Sequence, residues 1–528
     1  MALGFREIHG NRGARGVSDV KAVVTLDGES LTLDQVRSVA LNRVSVALAN
    51  GARERMLRTR QVVADIVERG DIVYGVTTGF GKLSEVAIPR DRLSELQINL
   101  VRSHSAGVGP LLPEREVRAM MLLRSNVLAK GFSGARPDLV DLLVGMLNAG
   151  LYPPVPEQGS VGASGDLAPL AALGVSMIGE GMLNGPGPRV SPGPAADMLR
   201  SAGLEPVTLA PKEGITLING TQAHTGIAAL AITDSRAIWH AAHVAGAMSL
   251  EALLGTPVPF DERIQQARGQ TGQARSAELL RSLLENSELR ESHRHGDPRV
   301  QDAYALRCMP QVHGPVLDAL EWIGAIVSRE LNAATDNPLV FENGEVLSGG
   351  NFHGLSVATA LDMLAIVMTN VATMSERRID RLVHPDFNQG LPAFLSREPG
   401  VHSGFMMAQV SAAALASECK VLAHPASVDT IPTDGNREDV VPMAMGAAWK
   451  ARRVIANVRR VIAIELMCAA QAIDYRAPLK PGRGVIEAHR TVRSLVRPLD
   501  ADRVLTPDIE TLAEALAAGE FGGTGADD

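Results

Sequence analysis

The chain has 528 residues, of which 45% are hydrophobic and 21% are charged, a composition that indicates a globular protein with a large core and not a disordered chain. Its 51 Lys and Arg residues and 59 Asp and Glu residues give a net charge of −8, and aromatic residues make up 3%. An acidic chain with few stacking aromatics is unsuited to nucleic-acid binding, because phosphate contacts supply most of that affinity.

The first 220 residues predict a mixed region of short helices and glycine-rich turns. Apolar periodicity predicts helices over residues 33–49 and 54–69, and glycines cluster at residues 75–81 and 159–165. A Pro/Gly-rich loop at residues 184–194 is expected at the surface as the tip of a hairpin. We therefore treat residues 1–220 as an N-terminal region that carries loops.

The remainder of the chain, residues 221–528, predicts long helices. Apolar residues step by three and four, and the segments 355–382 and 443–474 are long enough for the helices of a bundle. Two irregular segments, 290–299 and 427–437, interrupt this pattern. The sequence thus predicts a mainly α protein in which a long-helix bundle follows a smaller mixed region.

Cysteine and histidine positions give no metal-site pattern. Three cysteines lie far apart, which predicts neither a disulfide scaffold nor a zinc site and suits the cytoplasm. Two histidine pairs lack neighbouring ligands at metal-binding spacing, so no metal is expected. These residues are Cys308, Cys419, Cys468, His240, His243, His293 and His295.

No segment of the sequence predicts export or membrane insertion. Residues 1–16 contain four charged residues and no apolar run, so no signal peptide is expected. The apolar stretches 240–254 and 361–374 are each interrupted by polar or charged residues and are not expected to span a membrane.

The segment GSVGASGDLAPLAALG, residues 159–174, has two interpretations. The simpler one is a tight turn that leads into a helix, with Asp166 at the N-cap and Pro169 in the first turn. The other is chemical. If the turn compresses, the unobstructed nitrogen of Gly165 can attack the Ala163 carbonyl, and loss of two waters, one from the Ser164 side chain, leaves 4-methylideneimidazole-5-one, a strong electrophile.

Ala163-Ser164-Gly165 in this context resembles the signature of the aromatic amino acid ammonia-lyases and aminomutases. The resemblance extends from about residue 31 to residue 521 and is carried by seven further blocks in order. They are YGVTTGFG (74–81), NLVRSHSAGVG (99–109), KEGITLINGTQA (212–223), QDAYALRCMPQV (301–312), NAATDNPLVF (332–341), SGGNFHG (348–354) and HPASVDTIPT (424–433). Eight blocks in order are far more specific than any one motif.

The resemblance implies a mainly α fold of the fumarase/aspartase-like type and a homotetramer whose sites are built from more than one chain. It also implies the 4-methylideneimidazole-5-one group and no metal, with an amino acid as substrate. The reaction is an elimination in which ammonia leaves and an α,β-unsaturated acid remains.

Roles for individual residues follow from the same resemblance. Tyr74 corresponds to the base on a mobile loop that removes the β-proton, a role that requires nearby groups to favour the phenolate. Arg307 corresponds to the clamp on the substrate carboxylate. The remaining positions hold the electrophile or the amine, or line the pocket: Asn219, Tyr304, Gln301 and Phe352.

Two residues point to the histidine branch of this family, which converts L-histidine to trans-urocanate and ammonia. His104 follows Ser103 as it does in that branch, although some tyrosine enzymes also carry it. Glu438 is the stronger discriminator, because a carboxylate can hold an imidazole but would be an unpaired charge beside a phenyl ring. The chain departs from the branch at Ser105, Ala172, residues 354–356 and Arg437.

Two alternatives stay open at this point. The first is a tyrosine ammonia-lyase or tyrosine 2,3-aminomutase with the same chemistry. The second is a non-catalytic helical binding protein in which the electrophile never forms. An intact-mass measurement separates the non-catalytic protein from the enzymes of the histidine and tyrosine branches, because ring formation expels two waters.

Overall fold

The computed structural model describes residues 23–187 and 190–522. The fold is mainly α, as the sequence predicts, with helices that lengthen toward the C-terminal half. The N-terminal segment on which the signal-peptide prediction rests lies outside the described residues.

Short and medium helices make up the N-terminal region. They are α1 (Leu33–Asn42), α2 (Asn50–Arg69), α3 (Leu93–His104), α4 (Glu114–Ala129), α5 (Pro137–Ala149), α6 (Leu167–Met177), α7 (Ala195–Ser201) and α8 (Glu213–Ile218).

The helices of the C-terminal region include four of more than twenty residues. They are α9 (Gln222–Ala252), α10 (Glu262–Arg268), α11 (Thr271–Leu283), α12 (Glu288–Ser292), α13 (Tyr304–Arg307), α14 (Met309–Glu330), α15 (Leu355–Val383), α16 (Met406–Leu422), α17 (Ala444–Asp474), α18 (Arg483–Leu495) and α19 (Thr506–Ala518).

The described strands form four small two-stranded sheets. One pair is parallel, β1 (Val23–Leu26) with β2 (Ser45–Leu48). The others are antiparallel: β3 (Val108–Leu111) with β4 (Pro156–Gln158), β5 (Met182–Leu183) with β6 (Gly193–Pro194), and β7 (Leu339–Val340) with β8 (Val346–Leu347). The predicted hairpin tip connects β5 and β6, and its residues 188–189 lie outside the described part.

Five helices, α9, α14, α15, α16 and α17, pack against one another as the central bundle. Both long helices predicted from the sequence are present, as α15 and α17. One continuous hydrophobic core runs from β1 through α19. The division of the chain at residue 220 stays a prediction.

Among the described helices, α15 alone is long and apolar enough by composition to cross a membrane. Of its most apolar 18-residue window, 61% is buried inside the protein. It also carries Asp362, whose carboxylate lies 3.3 Å from the Lys450 ammonium of α17. A mostly buried helix with a paired charge is the pattern of a core helix.

A buried ion pair fixes the relative positions of three bundle helices. The Glu465 carboxylate on α17 receives two hydrogen bonds from Arg378 on α15, at 2.5 and 2.8 Å. Hydroxyl groups of Ser249 on α9 and Ser375 on α15 also donate to it, at 2.7 and 2.5 Å. All four side chains are buried. Such a pair favours one register of the helices, because a shift of one helix along another would leave a charge unpaired in the core.

The helix predicted over residues 33–49 is wrong in its second half. Helix α1 ends at Asn42, Arg43 takes a left-handed conformation with φ 54°, and residues 45–48 form β2. The reason is tertiary, because β2 pairs with β1 and buries Val46. Strand pairing with a distant segment outweighs local helical periodicity here.

Candidate active site

A cavity of about 610 Å³ opens where the N-terminal region meets the bundle. Six of the residues predicted for the site line it, and they come from segments up to 364 positions apart. They are Tyr74, His104, Ser164, Asn219, Phe352 and Glu438. The fold therefore brings the Ser164 turn, the Tyr74 segment and both residues predicted to select the substrate into one space.

The N-termini of four helices, α6, α9, α15 and α17, converge behind the turn at residues 162–165. The Asp166 amide, just before α6, donates to the Gly220 carbonyl, just before α9, at 2.7 Å. The Gly354 amide, at the start of α15, donates to the Gly162 carbonyl at 3.0 Å. Helix N-termini carry partial positive charge, so this arrangement stabilises negative charge that develops at the turn.

Glycine is required at two positions of the turn. Gly165 has φ 70°, and a Cβ atom there would collide with the Gly220 carbonyl. Gly162 has φ 75°, and a Cβ atom would lie 2.7 Å from the Ala444 side chain on α17. The turn is therefore compressed against the starts of two helices, the circumstance that ring closure between Ala163 and Gly165 needs.

The Ser164 carbonyl oxygen accepts two hydrogen bonds. Asn219 Nδ2 donates at 3.0 Å and the Gly220 amide donates at 3.3 Å. Asn219 Oδ1 is buried and has no hydrogen-bond partner among the described residues. That oxygen is a ready acceptor for a group that enters the cavity.

Arg124 fixes the backbone of Asn219 through a hydrogen bond. Its guanidinium is fully buried and donates to the carbonyl oxygens of Thr216 and Asn219, both at 3.0 Å. Burial lowers the pKa of Arg124 to about 10, so the group stays cationic at neutral pH. No local pattern reveals this role, because Arg124 and Asn219 are distant in the chain.

Asp166 immediately precedes α6, yet its side chain makes no capping bond to that helix. Its carboxylate instead accepts from the amides of Ala223 and His224 at the start of α9, both at 2.9 Å. It also contacts His224 Nδ1 at 2.9 Å. Asp166, predicted as the N-cap of α6, thus caps α9 with its side chain and connects the Ser164 turn to the bundle.

Glu438 lies in the segment of residues 427–441, here called the Glu438 loop. One carboxylate oxygen accepts from the Ser164 hydroxyl and the other from Thr433 Oγ1 at 2.5 Å. Backbone hydrogen bonds between Thr433 and Glu438 close a tight turn beneath the side chain. The carboxylate is therefore held against the turn that carries the predicted electrophile.

His104 is the last residue of α3, and its Nδ1 faces the backbone of the same helix. Its Nδ1 lies 2.9 Å from the Leu100 carbonyl, an acceptor, so Nδ1 carries the proton and Nε2 is free to accept. Burial lowers the pKa of His104 below its ordinary value, with the Leu100 carbonyl opposing the shift. The imidazole is therefore neutral at neutral pH and presents an acceptor.

Tyr74 lies in the segment of residues 73–88, here called the Tyr74 loop. The Gly81 amide approaches its hydroxyl oxygen at 3.5 Å. Burial raises the pKa of Tyr74; the Gly81 amide opposes this shift, while the charges of Asp434 and Glu438 add to it. The net effect of the groups on this chain is to disfavour the phenolate, contrary to what the predicted role of Tyr74 requires.

Asp434 also lines the cavity and was not predicted from the sequence. Its carboxylate accepts a hydrogen bond from the Lys82 amide of the Tyr74 loop at 3.1 Å. No local pattern reveals this contact, since the two residues are 352 positions apart.

Gln301, Tyr304 and Arg307 do not line this cavity. Gln301 borders a separate small cavity beside Arg299. Tyr304 is 70% exposed, and the Arg307 guanidinium lies over its ring at 4.8 Å. Within one chain, the predicted carboxylate clamp is thus apart from the predicted electrophile.

The described residues contain no cluster of three or more His, Cys, Asp or Glu side chains arranged to hold a metal ion. The two histidines of one pair, His240 and His243, contact protein groups. His240 Nδ1 contacts the Phe521 carbonyl at 2.9 Å, and His243 Nε2 contacts Ser276 Oγ at 2.6 Å.

A family model and the similar proteins of known function agree on one family. Residues 31–494 match the family model described as aromatic amino acid lyase. The histidine ammonia-lyase of Anaeromyxobacter sp. (strain K) is 54% identical over 500 residues, which cover 94% of this chain and 98% of that protein.

Solved structures agree with this result. The histidine ammonia-lyase of Trypanosoma cruzi is 44% identical, with a TM-score of 0.88 and coverage of 95% of this chain and 94% of that chain. The tyrosine aminomutase of Streptomyces globisporus is 38% identical, with a TM-score of 0.89 and coverage of 95% and 98%.

The chain belongs to the aromatic amino acid lyase family. This confirms the predicted family, the mainly α fold and the enzyme class, a carbon–nitrogen lyase.

Proposed function

We propose that the protein is a histidine ammonia-lyase that converts L-histidine to trans-urocanate and ammonia. The observation that carries this proposal is the meeting of Glu438, His104 and Ser164 in one cavity. The similarity to histidine ammonia-lyases at 48–54% identity over nearly the whole chain supports it.

The residues at the turn fit a 4-methylideneimidazole-5-one group made from Ala163, Ser164 and Gly165. The turn is too tight for a side chain at position 165. The Ser164 carbonyl oxygen, which the ring would keep, already has two donors in Asn219 and Gly220. When formed, the group supplies an electrophile that makes ammonia a better leaving group.

His104 and Glu438 would orient the imidazole of the substrate. The free Nε2 of His104 accepts a hydrogen bond from an imidazole N–H. Glu438 has one oxygen engaged by Ser164 Oγ, and ring formation removes that hydroxyl. The oxygen then becomes available to accept from the second N–H of a substrate imidazolium, while Thr433 keeps the other oxygen in place.

Tyr74 would remove the β-proton from the substrate and must be deprotonated to do so. Because burial and, to a lesser extent, the carboxylates of this chain raise its pKa, a nearby cation is needed to favour the phenolate. Asn219 Oδ1, unpartnered among the described residues, would accept a hydrogen bond from the substrate amine.

A homotetramer would supply the missing groups, with Gln301, Tyr304 and Arg307 of a neighbouring subunit entering the cavity. Exposed apolar side chains on the Tyr74 loop and the Glu438 loop support such a contact: Leu83, Val86, Val428, Ile431 and Val440. Helix α16 also exposes apolar side chains along one side, namely Met407, Val410 and Val421. Apolar surface of this kind marks protein–protein contacts.

We place the enzyme in the cytoplasm. The three cysteines are free, and Cys419 and Cys468 are buried, which suits a reducing compartment. The catalytic role assigned to the ring and to Tyr74 requires no metal.

A tyrosine 2,3-aminomutase or tyrosine ammonia-lyase is the second candidate. It is favoured by the similarity to the Streptomyces globisporus tyrosine aminomutase and by the free Nε2 of His104, which a phenol hydroxyl can also satisfy. Glu438 argues against it, because the carboxylate oxygen that Thr433 does not bind would face an uncharged ring without a partner.

The test is incubation of the purified protein with L-histidine, L-tyrosine and L-phenylalanine, followed by chromatographic quantification of urocanate, coumarate, β-tyrosine and cinnamate. Urocanate should form fastest. Faster formation of coumarate or β-tyrosine would assign the chain to the tyrosine branch. No product from any substrate, with an unmodified intact mass, would favour the non-catalytic binding protein.

A further inference from the structure

The Tyr74 loop and the Glu438 loop face each other at the mouth of the cavity. Asp434 is the central contact between them, since its two carboxylate oxygens lie 3.1 and 3.4 Å from the Lys82 amide. A second contact, Arg437 Nη2 with Glu85 Oε1 at 3.4 Å, is exposed. The contact of Asp434 is exposed as well. A long, exposed ion pair contributes little, whereas Asp434 accepts from a backbone amide and lies against Gly81, so Asp434 is the contact that bears on the turn beside Tyr74.

The fit between the loops is close at Asp434. A Cβ atom on Gly81 would collide with the Asp434 carboxylate, and one on Gly435 would lie 3.4 Å from the Lys82 side chain. The amide of Gly81 is the group that approaches the Tyr74 hydroxyl. The Asp434 carboxylate therefore lies against the same short turn that contacts the phenol oxygen.

The backbone at Asp434 is unusual. Asp434 and Asn436 both have positive φ values, 46° and 67°, and Gly435 between them has φ 59°. Non-glycine residues in this conformation cost free energy and persist only where the surroundings enforce them. Here the strained backbone directs a carboxylate to an amide on another loop.

We propose that Asp434 is a positioning residue for Tyr74. Its carboxylate holds the turn at Gly81 and Lys82 closed over the cavity, and so fixes the phenol oxygen where the β-proton is removed. The inference rests on the proposed function in one respect only, the role of Tyr74 as base; the contact between the loops is independent of it.

Asp434 acts on Tyr74 in two ways, through its negative charge and through its hydrogen bond to the Tyr74 loop. The ionisable side chains that line the cavity on this chain are His104 on α3 and Asp434 and Glu438 on the Glu438 loop. Burial raises the pKa of Tyr74 and the charge of Asp434 adds to this shift, whereas the Gly81 amide, which adjoins the Lys82 amide bound by the Asp434 carboxylate, lowers it. Removal of the charge and removal of the contact should therefore give different results.

Two variants separate these two effects. Asp434→Asn keeps an acceptor oxygen for the Lys82 amide, tolerates the positive φ and removes the charge. Asp434→Ala removes both the acceptor and the charge. Asp429→Ala is the matched control, because Asp429 lies in the same loop, is exposed, and bonds only the adjacent Thr430 amide. Thermal melting verifies that all three variants fold.

The first measurement is hydrogen–deuterium exchange of peptides that contain residues 74–86, on the full-length protein without substrate. Asp434→Ala should exchange about tenfold faster or more at the Lys82 amide, as expected for loss of a hydrogen bond to a charged group. Asp434→Asn and Asp429→Ala should stay within about threefold of wild type, since a neutral hydrogen bond is retained in the former and untouched in the latter. Unchanged exchange in Asp434→Ala would overturn the proposal.

The second measurement is the pH profile of kcat and KM for L-histidine. Asp434→Ala should lower kcat about tenfold or more with a smaller change in KM, because a misplaced base affects the chemical step. Asp434→Asn should keep most of kcat and move the acid limb of kcat/KM to lower pH. Faster exchange with unaltered kcat in Asp434→Ala would also overturn the proposal. A wild-type protein that makes no urocanate would instead refute the proposed function, and the exchange result would stand.

Discussion

Replacement of Glu438 by Gln isolates the charge of the residue proposed to select histidine. The amide keeps nearly the same shape and can keep Thr433 as a partner, because a hydroxyl that now donates to Oε2 at 2.5 Å can accept from an amide NH₂ instead. The variant should therefore fold normally. What it loses is the negative charge beside the substrate imidazole.

The expected loss is set by one charge-assisted hydrogen bond. Such a bond contributes about 1.5–3 kcal/mol, whereas the neutral bond that Gln can still make contributes about 0.5–1.5 kcal/mol, so the charge accounts for about 1–1.5 kcal/mol. Since 1.36 kcal/mol corresponds to a tenfold change in rate, kcat/KM of Glu438→Gln for L-histidine should fall by about 5- to 13-fold. Formation of coumarate from L-tyrosine should rise or stay equal, because the unpaired carboxylate is gone.

The assay is initial-rate formation of urocanate and coumarate by wild type and Glu438→Gln, with intact mass recorded for both. The mass is a necessary control, since Glu438 contacts the Ser164 hydroxyl that ring formation removes. With equal masses, turnover of histidine within about twofold of wild type would refute the assignment of Glu438 as the selecting residue.

Four further predictions follow from the same contacts. Wild-type intact mass should be about 36 Da below that calculated from the sequence, a covalent change that Ser164→Ala abolishes, and an unmodified but active wild type would contradict the ring. Inactive Tyr74→Phe and Arg307→Ala chains, refolded together in equal amounts, should regain activity at about a quarter of the sites if these residues meet from different subunits, whereas continued inactivity argues for sites within one chain. Because burial raises the pKa of Tyr74 and the base acts deprotonated, kcat/KM should rise with pH from neutral into the alkaline range, and a flat profile in wild type would exclude Tyr74 as the base. Glu465→Ala should lower the free energy of unfolding by about 3–5 kcal/mol, because it leaves the Arg378 guanidinium buried without its partner; denaturant unfolding measures this, and a loss under about 1 kcal/mol would contradict it.

Much of the fold could be predicted because the long helices carry their own signal. The periodic apolar faces of α15 and α17 are local features, and their bounds agree with the structure to within about two residues. The end of α1 could not be predicted in this way. Arg43 and the strand after it depend on pairing with β1, a contact outside any local window.

The same distinction between local signals and distant contacts applies to the residues of the site. Motifs identify Ser164, Asn219 and Glu438, and the structure brings them to one cavity. The partners that hold them are invisible in the motifs, because each acts across a long distance in the chain. Asp166 caps a helix other than the one it precedes, and Asp434 binds a loop 352 residues away.

The charge of the cavity bears on the proposed homotetramer. Among the described residues that line it, Asp434 and Glu438 are acidic, His104 is neutral, and there is no Lys or Arg. An amino acid brings a carboxylate along with its ammonium group, and Tyr74 must become a phenolate, so negative charge accumulates beside two carboxylates with no cationic side chain among these lining residues to balance it. The starts of four helices offset part of this charge, but they lie behind the Ser164 turn. A guanidinium that enters from a neighbouring subunit, the role proposed for Arg307, would bind the substrate carboxylate and lower the pKa of Tyr74 at once. In this arrangement assembly supplies both the affinity for substrate and the active form of the base.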